Sequence, residues 1–282
     1  VRIDALLQAG PTRSFEFFPP KSEGEAATLN ATISELKPLN PSFVSVTYRG
    51  GDESRQRTYD LVSHIESDHN IPAMAHMICV GHKQDEVTRI LQNYSEAGVE
   101  NIMALGGDIS PGEDSNSDYS YAIDLVAEIR RTGSFAVGVA AHPLGHPKSP
   151  TLDSDREFLA LKLELADFAV TQFFFQAQEW TALVNDLADR DCYKPVLPGI
   201  MPVTSLSSID SMARMGSAVP PELVARLEAA HDQGGSEAVR EAGIAAAVEL
   251  CRDLLADHAP GLHFYTLNRS TATREVHDAL FN

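Results

Sequence analysis

Short apolar runs rich in β-branched and aromatic residues recur along this chain about every 30 residues, the length of a strand, a loop, a helix and a second loop. They are RSFEFFP from Arg13, FVSVTY from Phe43, AMAHMICV from Ala73, NIMALGG from Asn101, AVGVAAHP from Ala136, FAVTQFFF from Phe168 and PVLPGIMPV from Pro195. An eighth, GLHFYTLN, begins at Gly261. The segments between them, such as EAATLNATISELKPL, QDEVTRILQNYSEAG and DREFLALKLELA, carry apolar residues at helical spacing with charges opposite. Gly98 and Gly133 fall where helix C-caps belong. The interval before the eighth run is about twice as long, which predicts two or more extra helices, broken at Pro220-Pro221 and Gly234-Gly235. Eight alternating strands and helices predict a (β/α)8 barrel occupying 1–282 as one domain, with the extra helices before the last strand. An open, doubly wound sheet is the alternative.

Composition narrows the class. A chain of 282 residues that is 43% hydrophobic can bury the core such a barrel needs. Its net charge of −18 repels phosphate backbones and anionic lipid, which argues against nucleic acid and membranes as partners. The three cysteines, Cys79, Cys192 and Cys251, are far apart and form no CxxC, as expected in a reducing cytoplasm. VRIDALLQAG lacks the apolar run of a signal peptide, and no stretch reaches the roughly 18 apolar residues of a membrane span.

A barrel gathers the polar residues at its strand C-termini into one mouth. Here these are Glu16, Thr47, Tyr48, His76, the turn Gly106, Gly107 and Asp108, then His142, His146, Gln172, Tyr265, Asn268 and Arg269. Alternation turns Glu16 into the barrel and Phe15 and Phe17 outward against the helices. Partial desolvation would then raise the pKa of Glu16 toward that of a general acid; the alternative is a structural glutamate paired to Arg13 or Arg269. Asp108, after two glycines, suits a ligand cation or N–H edge, or equally a turn or helix cap. His142 and His146 could join His76, Cys79 and Asp108 at a metal, but Pro143 and Pro147 oppose the helix that would align them, and hydrogen bonding to a ligand or loop packing fits better. Gln172 can satisfy a heterocycle edge or neighbouring backbone, and Arg269 can hold a carboxylate or form a salt bridge. There is no GxGxxG or P-loop.

SFEFFPPK, FVSVTYRGG, ALGGD, VAAHPLGHP, VTQFFF, PGIMPV and HFYTLNRS, in this order from Ser14 to Ser270, make the chain resemble the methylenetetrahydrofolate reductase family. The resemblance implies a (β/α)8 barrel that reduces 5,10-methylenetetrahydrofolate, a folate, to 5-methyltetrahydrofolate. It implies that Glu16 protonates N10 so that the ring opens to a 5-iminium cation, and that Asp108 stabilises that cation. It also implies that Gln172, Arg269, Tyr265 and Met212 contact the substrate; Met212 stands where the family usually has a phenylalanine. Thr47, Tyr48, His76, Tyr121 and His146 match flavin-contacting positions, with Gly106, Gly107 and His142 in the same site.

Three departures concern FAD. Gly106 replaces the arginine of ALRGD, His142 replaces the tyrosine of AAYPE, and LKLELAD, Leu161 to Asp167, lacks the pattern KxDAGA. Loss of a cation and of an aromatic platform would each weaken flavin binding by about 1–3 kcal/mol. The resemblance is therefore to the flavin-independent actinobacterial type, with NADH or NADPH giving hydride directly. The FAD-dependent enzyme is the main alternative; a non-catalytic folate-binding paralogue and a metal-dependent barrel hydrolase are others. Family habit implies a homo-oligomer.

Overall fold

The computed structural model describes residues 1–48, 51–107 and 117–281. Its eight strands are β1 (Thr12–Phe17), β2 (Phe43–Val46), β3 (Ala73–Ile78), β4 (Asn101–Leu105), β5 (Ala136–Ala141), β6 (Phe168–Phe173), β7 (Val196–Ile200) and β8 (Gly261–Tyr265). All neighbours pair in parallel, and β8 pairs with β1 from Thr12↔Gly261 to Glu16↔Tyr265, closing the ring. That closure excludes the open doubly wound sheet.

The helices are α1 (Ile3–Ala9), α2 (Glu23–Leu36), α3 (Asp52–His64), α4 (Gln84–Glu96), α5 (Ala122–Thr132), α6 (Leu152–Leu165), α7 (Ala177–Ala188), α8 (Ile209–Arg214), α9 (Pro221–Ala256) and α10 (Thr271–Phe281). The expected extra helices before β8 are α8 and α9. Pro221 opens α9, and Gly234-Gly235 interrupts it, with Gly235 at φ +66°. Gly98, at φ +80°, follows α4 in the left-handed conformation that glycine favours and donates its N–H to Ser95 O at 3.1 Å. Gly133 is extended instead; a Cβ there would lie 2.7 Å from the Phe135 ring, so the glycine provides clearance.

Alternation sorts the side chains into two layers. Phe15 and Phe17 point outward and are buried with Leu29, Ile33 and Leu36 of α2, worth about 1.5–3 kcal/mol per ring. Inside the ring, Phe43, Met74, Met103, Phe168, Val170 and Leu197 form a separate plug with Ile3 of α1. A Cβ on Gly138 would stand 2.8 Å from the Phe168 ring, so glycine in β5 makes room for that ring in the plug. The seven-residue helix α1, too short to reveal itself by periodicity, covers this end. Ile3 N donates to Asn101 Oδ1 at 2.7 Å, and Asn101 Nδ2 donates to Ala73 O at 3.3 Å. With that end filled by apolar side chains, the polar residues collect toward the C-terminal mouth.

Candidate active site

Glu16 lies next to last in β1, facing inward, with 17% of its side chain exposed. Neither Arg13 nor Arg269 pairs with it. Arg13 turns away, its guanidinium 3.2 Å from His277 Nε2 and over the Phe281 ring. Instead, the Ser45 hydroxyl donates to Glu16 Oε2 at 3.3 Å, with His76 Nε2 at 3.4 Å and His263 Nε2 at 3.6 Å. Behind His263, its Nδ1 is 2.8 Å from Ser14 Oγ. The strand end is fixed as well. Thr266 Oγ1 donates to Glu16 O at 2.6 Å, and the Asn268 amide brackets Phe18, accepting from its N–H at 3.0 Å and donating to its carbonyl at 2.8 Å.

The expected rise in the Glu16 pKa is reversed. Burial pushes it up, but the His263 imidazole, the charge of His76 and the Ser45 hydroxyl together hold it below the ordinary carboxylate value. Burial also drives His76 below the usual imidazole value, only partly offset by the Glu16 charge. Of the groups that hold the Glu16 carboxyl down, the hydrogen bond to His263 has the largest effect. Sequence reasoning missed His263. It lies two residues before Tyr265 on the same face of β8, so the alternation that singled out Glu16 also reaches it.

The other expected residues divide. Thr47 and His76 stay at the mouth; Thr47 Oγ1 is buried without a hydrogen-bond partner among the described residues, a polar lining that a ligand can satisfy, whereas His76 Nε2 faces the Glu16 carboxylate at 3.4 Å. Tyr265 is held by its hydroxyl on Thr171 O at 2.7 Å, and its ring meets His263 edge-on at 5.4 Å. Gln172 Nε2 donates to Met215 O at 2.9 Å and Oε1 accepts from Phe173 N at 3.0 Å, so backbone already holds both ends of this amide. Arg269 is exposed on the loop after β8. Gly106 is half-buried, and Gly107, at φ +82°, is exposed.

Three other expected residues are placed as follows. Met212 is 3% exposed, packed with Phe173, Met201 and Val203, because the helical spacing of Ile209 and Met212 turns this side of α8 toward the core; it supports the wall and offers a ligand little surface. Tyr48 is 7% exposed and its hydroxyl meets His82 Nε2 at 3.1 Å, so it packs against the loop after β3. Tyr121 caps α5 and is 72% exposed. Asp108 lies outside the described residues.

His142 and His146 meet edge-on, with ring centroids 4.7 Å apart. Burial, reinforced by His146, lowers His142 to about 4, so it is neutral at physiological pH. Their loop is anchored by Arg156, which is 1% exposed. Its guanidinium donates to His142 O at 2.9 Å, Pro143 O at 2.5 Å, Asp155 Oδ2 at 2.9 Å and Asp186 Oδ2 at 3.1 Å. Arg156→Leu leaves Asp155 buried without its cation. The expected cost is about 3–5 kcal/mol, read as a lower denaturation midpoint; a loss below about 1 kcal/mol would show that the loop does not depend on this anchor. Among the described residues no group of three or more His, Cys, Asp or Glu is arranged to hold a metal ion, and no helix is long and apolar enough to cross a membrane.

A closed parallel barrel with a carboxylate and two imidazoles toward its C-terminal end has the form of the (β/α)8-barrel class, whose ligand sites lie at that end. The sequence model of the methylenetetrahydrofolate reductase family matches residues 2–280, and the chain belongs to that family. It is 32% identical over 267 residues to the 5,10-methylenetetrahydrofolate reductase of Escherichia coli, covering 94% of this chain and 89% of that one. It is 34% identical over 279 residues to methylenetetrahydrofolate reductase 1 of Schizosaccharomyces pombe, covering 95% of this chain and 46% of that one. Among solved structures, a Clostridium thermocellum protein described as binding two copies of 5-methyl-5,6,7,8-tetrahydrofolic acid has a TM-score of 0.69 at 14% identity, over 99% of this chain and 97% of that one. That likeness establishes the shared fold.

Proposed function

We propose that this chain, as one catalytic domain in the cytoplasm, reduces 5,10-methylenetetrahydrofolate to 5-methyltetrahydrofolate with hydride taken directly from NADH or NADPH. The observation that carries the reading is Glu16, the family's acid, facing inward toward the mouth and still 17% exposed. Its proton passes to N10, the bond from N10 to the bridging carbon breaks with its electrons going to nitrogen, and the 5-iminium cation accepts hydride at that carbon. Arg269, exposed at the rim, suits the folate carboxylates. Gln172 and Tyr265 suit the pterin; Gln172 must then exchange or share its bond to Met215. The role of Asp108 in stabilising the cation rests on the family resemblance.

The described residues are a poor fit to tightly held FAD. A Cβ at position 106 would meet nothing within 4 Å among the described residues, and glycine supplies no cation for a pyrophosphate. His142 is neutral, and two cations of this sector are committed elsewhere: Lys162 to Ala140 O at 3.0 Å and Arg156 to carbonyls and carboxylates. Thr47 Oγ1, without a partner among the described residues, favours the second reading, the FAD-dependent enzyme, because it lies at a flavin-contacting position. An absorbance spectrum and an assay separate the two. The purified protein is expected to show no flavin bands and to oxidise NADH when given methylenetetrahydrofolate alone. Flavin bands near stoichiometric occupancy, or turnover only after FAD is added, would establish the second reading. Folate binding without turnover under either condition would leave a binding protein.

A further inference from the structure

One strand breaks the alternation that orders the barrel. Along β6, Phe168 and Val170 face the plug inside the ring and Ala169 faces the helices. Strict alternation would continue with Gln172 inward, Phe173 outward and Phe174 inward. Instead Phe174 is buried in the outer layer with Ala177 and Trp180 of α7, and Phe173 meets the Tyr265 ring edge-on at 6.2 Å. The cause is the register with β7. Val170 pairs with Leu197 but Phe173 pairs with Gly199, three steps along β6 against two along β7. The extra residue flips the phase, so the consecutive residues Gln172 and Phe173 both serve the mouth. Such a bulge is rare between parallel strands and disrupts the local hydrogen-bond ladder.

Thr171 and Gln172 span the extra residue, and Thr171 is fully buried. Its hydroxyl accepts the Gly199 N–H at 2.9 Å, and its carbonyl accepts from the Tyr265 hydroxyl at 2.7 Å. These two contacts tie β6 to β7 and to β8 at the level of the bulge. Gly199 leaves the space for them: a Cβ there would stand 2.4 Å from Thr171 O and 2.5 Å from the Tyr265 ring. On its other flank Thr171 keeps the regular register with Ala141 of β5. The distortion is confined to one side of β6, and Thr171 closes it there.

We infer that Thr171 is a positioning residue for the folate: its hydroxyl holds the bulge that brings the Gln172 amide and the Phe173–Tyr265 ring pair to one wall of the mouth. The inference rests on the reading that Gln172 and Tyr265 contact the pterin, and Thr171 acts through them. An amide edge beside two rings suits a flat, hydrogen-bonding heterocycle, and the bulge fixes the spacing between amide and rings. Without the hydroxyl the Gly199 N–H loses this acceptor in a buried place, which favours a return to plain alternation. Plain alternation would turn Phe173 toward the helices and away from Tyr265.

Thr171→Val is nearly isosteric and removes the hydroxyl. It is expected to raise the folate KM and the dissociation constant of 5-methyltetrahydrofolate about tenfold, with kcat within about threefold and the NADH KM within about twofold, the pattern of binding lost equally in ground state and transition state. Thr171→Ser restores the hydroxyl and should return both constants to within about twofold of wild type. Thr171→Ala removes the hydroxyl without a second methyl and carries the same expectation if the valine protein does not fold. A purely structural role would lower the denaturation midpoint and leave the folate constants of the folded protein unchanged, which would overturn the inference. Hydrogen exchange of the Gly199 amide in the full chain reads the bulge without substrate. It should quicken about tenfold in Thr171→Val and stay as in wild type in Thr171→Ser. Unchanged exchange in Thr171→Val overturns the inference whatever happens to folate. Faster exchange with unchanged folate binding also overturns it, and Gln172→Ala then shows which step failed. If Gln172→Ala loses folate affinity, the reading of the pterin contacts stands without the bulge; if it does not, that reading falls as well.

Discussion

Glu16→Gln is expected to lower kcat by about 1,000-fold while leaving the binding of 5-methyltetrahydrofolate within a few-fold of wild type. The substitution is nearly isosteric. The amide oxygen can still accept from Ser45, and the strand end stays fixed by Thr266 on the backbone carbonyl of residue 16. What disappears is a transferable proton. The C–N10 bond of the substrate breaks readily only when N10 leaves as a neutral amine, so an amide at this position strands the enzyme before the iminium forms. Loss of kcat without loss of product affinity is the pattern of an interaction made only on the way to the transition state. The comparison is best made by single-turnover NADH oxidation alongside a direct binding measurement. Residual kcat within tenfold of wild type would mean that another group protonates the substrate, and would leave Glu16 a structural partner of His76 and His263. Lowering the pH should not rescue the variant, since no carboxyl remains to be protonated.

The barrel was readable because its strands carry their signal in two independent periods, alternation within each run and recurrence about every 30 residues between runs. Phe15, Glu16 and Phe17 show how far alternation reaches: it assigns two rings to the helices and one carboxylate to the interior, as found. Consecutive residues seldom face the same way: Thr47 stays at the mouth while Tyr48 packs with His82. His263 escaped because a mid-strand histidine between Leu262 and Phe264 reads as core, whereas polar residues at strand ends draw attention. The sign of the Glu16 pKa shift depended on that histidine. Burial is visible in an aromatic neighbourhood, but the imidazole that opposes it comes from a strand nearly 250 residues away in sequence. The loops are the least legible part. Whether Gln172 faces a ligand or Met215 is decided by the α8 segment, and no local pattern in TQFFF encodes that contact.

Gly243→Ala is expected to destabilise the protein by about 3 kcal/mol or more, the reverse of what helix propensity alone would give. In a free helix the change would stabilise by roughly 0.5–1 kcal/mol. Here α9 crosses the segment after β7 so closely that a Cβ at 243 would sit 1.7 Å from Val203 O and 2.8 Å from its carbonyl carbon. Both are backbone atoms that cannot rotate aside, so the helix must lift. Lifting separates Val239 from the apolar cluster of Met201, Val203, Met212 and Val219 that supports this side of the mouth. Gly235 is the control within the same helix: its φ of +66° makes alanine strained, but among the described residues a Cβ would meet nothing within 4 Å. Gly235→Ala should therefore cost about 1–3 kcal/mol, from backbone strain alone. Urea denaturation midpoints, compared at equal slope, measure both. Equal losses for the two variants, or a Gly243→Ala protein as stable as wild type, would mean that α9 does not rest on the Val203 carbonyl. A large loss confined to Gly243→Ala, with the folate KM raised in the surviving folded fraction, would tie the stability of that wall to the binding site it supports.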